Sequence, residues 1–197
     1  IFEQRLGVIR NPNIYNVVND IFDEIVENLI SEIQNYKDNF NVNSKKLIKT
    51  KTERLCGTKI SDDEFSSWLE KGGSDQKEFL VEQFNQRRNA RIATAGDEIN
   101  KDVEKRIFLQ NLDYEWRSHL QYLEQLRQVI GLRGYGQKNP LDEYKRESFN
   151  LFKDLLSKIK ENLIMFLVNV QLAKEESTPQ PQPILQEKIS RNATCTC

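Results

Sequence analysis

The most regular pattern along the chain is a pair of heptad repeats in its second half. In the first, side chains recur at alternating steps of three and four residues, at Leu109, Leu112, Trp116, His119, Leu123, Leu126 and Ile130. After a polar break the same steps resume at Phe149, Phe152, Leu156, Ile159, Leu163, Phe166 and Val170. Two such seams joined by a turn over 131–140 predict a long antiparallel helical hairpin packed by knobs into holes.

The first half of the chain predicts shorter helices. Apolar residues over 14–36 follow the three- and four-residue steps of an amphipathic helix. Residues 38–60 are polar and aperiodic, so we expect a loop with a short element there. Ser61 and Glu64 form a capping-box pattern, which indicates that another short helix begins at this point. The predicted fold class is therefore all-α.

The turn between the two seams has an unusual composition. It lies within the stretch LRGYGQKNPLDEYKRESF and combines glycines with Tyr135, Arg133 and Lys138, while no acidic residue lies between Gln128 and Leu141. Because glycine tolerates positive φ angles, many backbone conformations are accessible to this turn. Tyr135 either folds back onto the end of the hairpin or is presented to a partner. An aromatic ring with a polar tip suits contact with an extended polypeptide.

Composition narrows the classes of function. The chain is 38% hydrophobic and 30% charged, with a net charge of −1, which is typical of a soluble, helix-rich protein. Basic and acidic residues are interspersed, so the sequence disfavours a nucleic-acid partner. No apolar run approaches the roughly 20 residues of a membrane-spanning helix. Because the chain opens with Ile1 inside a helix-like pattern, we expect it to be part of something longer.

Candidate catalytic chemistry is sparse. The sequence has no phosphate-binding loop of the G-x-x-x-x-G-K-[ST] type. The one histidine, His119, lies on the first seam, and we interpret it as a packed or partner-bonded imidazole. Asp113 and Glu115 are two residues apart and so fall on different helix faces. We therefore expect no active site in this chain.

The C-terminal part predicts a linker followed by two thiols. Residues 173–191 carry Pro, Gln and Glu with few apolar residues, so we expect them to be disordered. Cys195 and Cys197 follow, while Cys56 is remote in the sequence. Two thiolates at this spacing can bind one metal ion, but structural zinc needs four ligands. Unpaired surface thiols are the alternative interpretation.

The stretch LDYEWRSHLQYLEQLRQVIGLRGYGQKNPLDEYKRESF resembles the C-terminal signature of the SecA family, the motor ATPases of bacterial protein export. The opening IFEQR is similar to the end of that family's long scaffold helix, and RNATCTC to the start of its zinc-binding tail. The resemblance implies the following domains: the end of the scaffold helix at 1–10, a helical wing at 11–90, the scaffold with a two-helix finger at 91–172, a linker at 173–191 and a truncated zinc-binding tail at 192–197.

The resemblance also implies a role and partners. The hairpin corresponds to a finger that reaches the mouth of the SecYEG channel, where Tyr135, with Arg133, Gln137 and Lys138, contacts the preprotein. ATP and Mg²⁺ would bind upstream domains, and Cys195 and Cys197 would ligate zinc. The complete tail would contact an export chaperone and anionic lipids. The parent protein would act as a homodimer or monomer, in the bacterial cytoplasm and at the cytoplasmic face of the inner membrane.

Two departures from the family pattern leave another interpretation open. Val129 stands where the family has glycine, with Gly131 two residues later. The family's nucleotide-binding folds and preprotein cross-linking domain, which lie upstream in the family, are not part of this sequence. A stand-alone helical interaction module without catalytic activity, from a split or truncated gene, is therefore the alternative to a part of the export motor.

Overall fold

The computed structural model describes residues 2–10, 13–36, 42–131 and 139–172. Within these ranges the chain is helical and contains no strand, which confirms the all-α prediction. The helices are α1 (Phe2–Arg10), α2 (Ile14–Tyr36), α3 (Val42–Cys56), α4 (Asp62–Glu70), α5 (Gly73–Ala95), α6 (Asp97–Ile130) and α7 (Pro140–Asn169). None of them combines the length and the apolar character that a bilayer crossing requires.

One hydrophobic core joins the first five helices to the base of the predicted hairpin. Helix α2 runs through its middle and buries one stripe, formed by Ile14, Val18, Phe22, Val26, Leu29 and Ile33. The rings of Phe22 and Phe84, from α2 and α5, stack with their centroids 4.4 Å apart. The amphipathic helix predicted over 14–36 is present, and its most buried positions follow i, i+4 steps because that stripe faces several helices at once.

The prediction of a loop over 38–60 was wrong, since α3 is a helix of 15 residues. Its buried stripe is short, with Ile48, Thr52, Leu55 and Cys56 on one side. The buried Thr52 hydroxyl keeps a hydrogen-bond partner, because it donates to the Ile48 carbonyl at 2.9 Å. A polar side chain thus occupies a core position, and the surrounding lysines made the apolar period difficult to recognise.

The capping box predicted at the start of α4 is present. The Glu64 amide donates to the Ser61 hydroxyl at 3.2 Å, and the Ser61 amide donates to the Glu64 carboxylate at 3.1 Å. These two bonds satisfy amides at the start of the helix that would otherwise lack partners. The Ser61 hydroxyl, which donates to the Glu64 carboxylate at 2.9 Å, and the Ser61 amide together lower the pKa of Glu64. Only two residues separate α4 from the next helix, α5, and the second of them, Gly72, is the N-cap residue of α5.

Glycine is required where α3 ends against α7. Gly57 has a φ of +68°, and a Cβ atom there would collide with the Val168 side chain. Gly96, between α5 and α6, has a φ of +91°, but a Cβ atom would meet open space. At both positions the backbone conformation would strain a residue that carries a side chain. Only at Gly57 would that side chain also collide with a neighbour.

We expect Gly57→Ala to destabilise the fold by about 3 kcal/mol, because it adds a collision in a packed core to the backbone strain. Gly131→Ala is the control, because Gly131 has a φ of −59° and a Cβ atom there would meet open space, so the change should cost less than about 0.5 kcal/mol. Urea unfolding followed by circular dichroism measures both. A loss at Gly57 no greater than the roughly 1–2 kcal/mol of left-handed backbone strain alone would contradict the packing at Gly57.

Candidate protein-contact site on the helical hairpin

Helices α6 and α7 form the predicted antiparallel hairpin, whose inner and outer halves differ in their surroundings. The core of the body extends along α6 as far as Trp116 and takes in α7 from Leu155 onward. The outer half of α6 buries Leu126 and Ile130, which lie outside that core. At 1.5 Å per residue, the 14 residues after Trp116 extend about 20 Å beyond it. The outer hairpin is therefore an arm supported by its own two helices.

The structure describes both ends of the segment that connects the two arms. Helix α6 ends at Ile130, and α7 begins at Pro140, whose fixed φ suits the first helical position. The Asn139 side chain caps α7 by accepting a hydrogen bond from the Leu141 amide at 3.0 Å. The predicted contact residues Arg133, Tyr135, Gln137 and Lys138 lie between these ends, outside the described residues.

Aromatic rings cross the middle of the hairpin. The rings of Trp116 and His119 lie 5.6 Å apart, and His119 lies 6.1 Å from the ring of Phe152 on the other arm. His119 is buried, and burial lowers the pKa of its imidazole because the charged form loses solvation. The neutral form is therefore favoured at this position, and the ring serves as a packing element.

The seam on α6 is buried or half-buried at each predicted position, including Leu123. The seam on α7 differs from the prediction at three positions, since 58% of Phe149, 37% of Phe152 and 47% of Phe166 are exposed. The most buried positions of α7 instead follow four-residue steps. They are Leu155, Ile159, Leu163 and Leu167, of which Ile159 and Leu163 also belong to the predicted seam.

Exposed apolar side chains lie along the outer half of the hairpin. On α7 they include Phe149 and Phe152, one helical turn apart, with the Lys153 ammonium 4.7 Å from the Phe149 ring centroid. On α6 they include Tyr122 and Val129. Among the described residues, the core shared with helices α1 to α5 does not extend to this half. Exposed aromatic and aliphatic groups on a protruding arm are typical of a surface that contacts other polypeptides.

The inner half is fixed by a buried polar cluster that the sequence did not reveal. Glu104 on α6 has no exposed surface and accepts two hydrogen bonds from Arg88, at 2.9 and 3.0 Å. Arg91 donates a third to the same carboxylate at 2.8 Å. Its other groups donate to the Asn100 side chain at 3.0 Å and to the Leu167 carbonyl on α7. One carboxylate thus connects α5, α6 and α7.

The cluster extends to α2 through uncharged partners. Arg88 donates to the Asn19 side chain at 2.7 Å, and its guanidinium lies 4.6 Å from the centre of the Tyr15 ring. Asn100 donates to the Tyr15 hydroxyl at 2.8 Å. Burial raises the pKa of Tyr15 and lowers that of Arg91, with the Glu104 carboxylate opposing the latter change. Each buried charge therefore depends on its partners staying in place.

With this geometry established, comparison with known proteins identifies the family. The SecA wing and scaffold domain family matches residues 1–171. The chain belongs to the SecA family. It is 39% identical to the protein translocase subunit SecA of Pelagibacter ubique, over 99% of this chain and 24% of that protein. The SecA of Afipia carboxidovorans is 34% identical, over 94% of this chain and 20% of its own length.

Other SecA relatives agree in extent. SecA 1 of Rhodopseudomonas palustris strain BisA53 is 34% identical over 96% of this chain and 20% of that protein. The chain therefore spans between a fifth and a quarter of the length of these relatives. The resemblance read from the hairpin stretch is confirmed, and the match extends over residues 1–171.

The donor set for a metal ion is incomplete in the part of this SecA chain that the structure describes. There, no group of three or more His, Cys, Asp or Glu side chains is placed to hold a metal ion. Cys56 is buried, and burial raises the pKa of its thiol to about 12, so it does not supply a thiolate at neutral pH. Cys195 and Cys197 lie outside the described residues. Two thiols alone do not meet the four-ligand requirement of structural zinc.

A small cleft opens beside His119 between the two arms. Its volume is about 290 Å³, and its lining includes Ser118, Tyr122, Asp154 and Lys158. Ser118 and His119 are adjacent on one helix, so their side chains diverge by about 100°. The two side chains are therefore not placed to act together as a nucleophile and its general base. The cleft is a gap in the packing of the outer hairpin.

We expect Glu104→Gln to destabilise the chain by about 3–5 kcal/mol, because it leaves two guanidinium groups buried without a counter-charge. Asp113→Asn is the matched control. Asp113 pairs with Arg5 at 3.0 Å on a half-exposed surface, so its loss should cost less than about 1 kcal/mol. Urea unfolding of both variants tests the difference. A Glu104→Gln variant as stable as the control would contradict a structural role for the cluster.

Proposed function

We propose that the hairpin of this chain is the two-helix finger of a SecA export motor, which contacts preproteins at the SecYEG channel. The observation that carries the proposal is the division of the hairpin into a fixed inner half and an outer half that extends about 20 Å beyond the core. A rigid arm can transmit movement of its base to its tip, and family membership supplies the export context.

The tip segment provides the contact chemistry in this proposal. Tyr135 makes the principal contact with the preprotein, because an aromatic ring with a polar tip binds extended chains with little dependence on their sequence. Arg133, Gln137 and Lys138 supply hydrogen bonds and positive charge toward the preprotein and the channel. The exposed outer residues Phe149 and Tyr122 widen the contact surface.

The rest of the chain supports the finger. Residues 11–90 form the wing, 1–10 the end of the scaffold helix and 91–172 the scaffold with its finger. Residues 173–191 form a linker to the zinc-binding tail that begins at 192–197. ATP hydrolysis with Mg²⁺ belongs to other domains of the complete motor, which works as a peripheral protein at the cytoplasmic face of the inner membrane. Its complete tail engages an export chaperone and anionic lipids.

We expect Tyr135→Ala, in a full-length SecA that carries this chain, to reduce preprotein transport about tenfold, because one anchoring aromatic contact is lost. Basal ATP hydrolysis should stay near its wild-type rate, since the residue is remote from nucleotide. Transport is measured as protease-protected preprotein in SecYEG proteoliposomes.

Tyr114→Ala is the matched control for this experiment. Tyr114 is an exposed tyrosine on the same hairpin, but it lies on the inner half of α6. Its loss should leave both transport and ATP hydrolysis unchanged. The proposed role of the tip would be contradicted if the Tyr135 variant transported preprotein at the wild-type rate, or if the Tyr114 variant lost as much transport activity as the Tyr135 variant.

We expect weak, exchangeable zinc binding by the 197-residue chain, because Cys195 and Cys197 provide only half of a closed site. Equilibrium dialysis against a zinc-buffered chelator measures the affinity, and the double variant Cys195→Ser with Cys197→Ser should abolish even weak binding. A chain extended by two more ligands should hold one zinc ion tightly. One tightly held zinc per 197-residue chain would refute the incomplete site.

A further inference from the structure

A groove in the body of the protein has no assigned role. It lies between α2, α3 and α7, and its volume is about 290 Å³. Its apolar lining consists of Ile25, Leu29, Leu47, Leu55, Leu156 and Met165. Leu47 is 49% exposed, although it lies on the inner edge of a helix that packs against the body. The groove is distant from the hairpin tip and plays no part in the function proposed above.

The rim of the groove is charged but largely neutralised. Lys51 pairs with Glu32 at 2.6 Å, and Lys160 pairs with Glu24 across the groove from α7 to α2. Arg54 and Glu161 add one further charge of each sign to the lining. An occupant therefore needs aliphatic side chains for the floor and low net charge, and it can place an acidic group near Arg54.

The end of the described chain lies beside this groove. Helices α3 and α7 both line it, and they meet just past it, where a Cβ atom on Gly57 would touch Val168. Helix α7 ends one residue later, at Asn169, so the residues after Leu172 start near this end of the groove. To enter it, the chain has only to reverse direction and run back along α7.

The following segment has the length and the chemistry to do so. The groove spans α7 from Leu156 to Met165, about 14 Å of helix. Eleven residues lie between Leu172 and Ile184, enough to reach about 40 Å when extended. Ile184 and Leu185 are the first large aliphatic residues after Leu172, and Glu187 follows closely. We propose that residues 184–187 of this chain dock in the groove between α2, α3 and α7.

Two physical factors favour this occupant over a separate protein. Tethering keeps the segment at a high effective concentration, so a short contact is enough to populate the docked state. Pro179, Pro181 and Pro183 restrict the preceding backbone to extended conformations, which lowers the entropy lost on docking. Ile184 and Leu185 then cover the half-exposed Leu47, and Glu187 approaches Arg54.

Photo-crosslinking in the full chain tests the proposal. Leu185 is replaced by benzoylphenylalanine, whose excited ketone inserts into nearby C–H bonds, and crosslinked peptides are mapped by mass spectrometry. We expect crosslinks within one chain to Met165 and to the α3 segment around Leu47. Crosslinks that join two chains, or that fall mainly on other surfaces, would overturn the proposal.

A pair of surface variants distinguishes docking in the groove from nonspecific apolar contact. Leu47→Lys should reduce the crosslink yield about fivefold or more, because the charge would be forced into an apolar contact. Leu120→Lys is the control, since Leu120 is 48% exposed on the hairpin and far from the groove. Both sites are half-exposed, so both variants should fold, as checked by thermal melting. An unchanged yield in Leu47→Lys, or an equal loss in Leu120→Lys, refutes docking in the groove.

Discussion

The fold depends on a single buried carboxylate, that of Glu104, which two arginines share. A cluster of two guanidinium groups and one carboxylate carries excess positive charge inside the protein, where an uncompensated ion is very costly. It persists because the guanidinium groups also donate to Asn19, Asn100 and the Leu167 carbonyl. These acceptors come from different helices. The cluster therefore fixes how α2, α5, α6 and α7 meet, which apolar packing alone defines less strictly.

This constraint determines which part of the hairpin can act as an arm. Near the cluster, α6 and α7 are held by the body through core residues such as Phe108 and Leu163. Beyond Trp116, in the described part of the hairpin, α6 leaves the core shared with the body, and the ion pair of Arg146 with Glu143 lies within one helix. A change in the body can therefore reorient the arm as a unit, with the cluster as its fixed base.

The hairpin and the fold class could be predicted from sequence because a heptad period is repeated in both arms and survives local irregularities. The details that failed have physical causes. Phe149 and Phe166 fall on the seven-residue repeat but are exposed, because the stripe of α7 that packs inward follows four-residue steps from Leu155 to Leu167. Helix α3 escaped prediction because the buried Thr52 carries a hydroxyl. The cluster around Glu104 was not foreseen because charged residues in an amphipathic helix usually indicate its solvated face, and only the tertiary fold shows which of them are buried.

For the same reason, the sequence predicts core residues more readily than residues of a contact surface. A core residue recurs at helical spacing, so a pattern predicts it. Tyr122 lies off the seam of its helix, and Phe149 lies on the predicted seam, yet both are exposed. Such residues are visible only as apolar side chains left over once the buried stripe is known. On the hairpin these residues lie where the body offers no support, and at Leu47 they lie beside an open groove. In both places the exposed apolar surface carries no evident benefit for folding, which is the physical reason to assign it to contact with another segment of polypeptide.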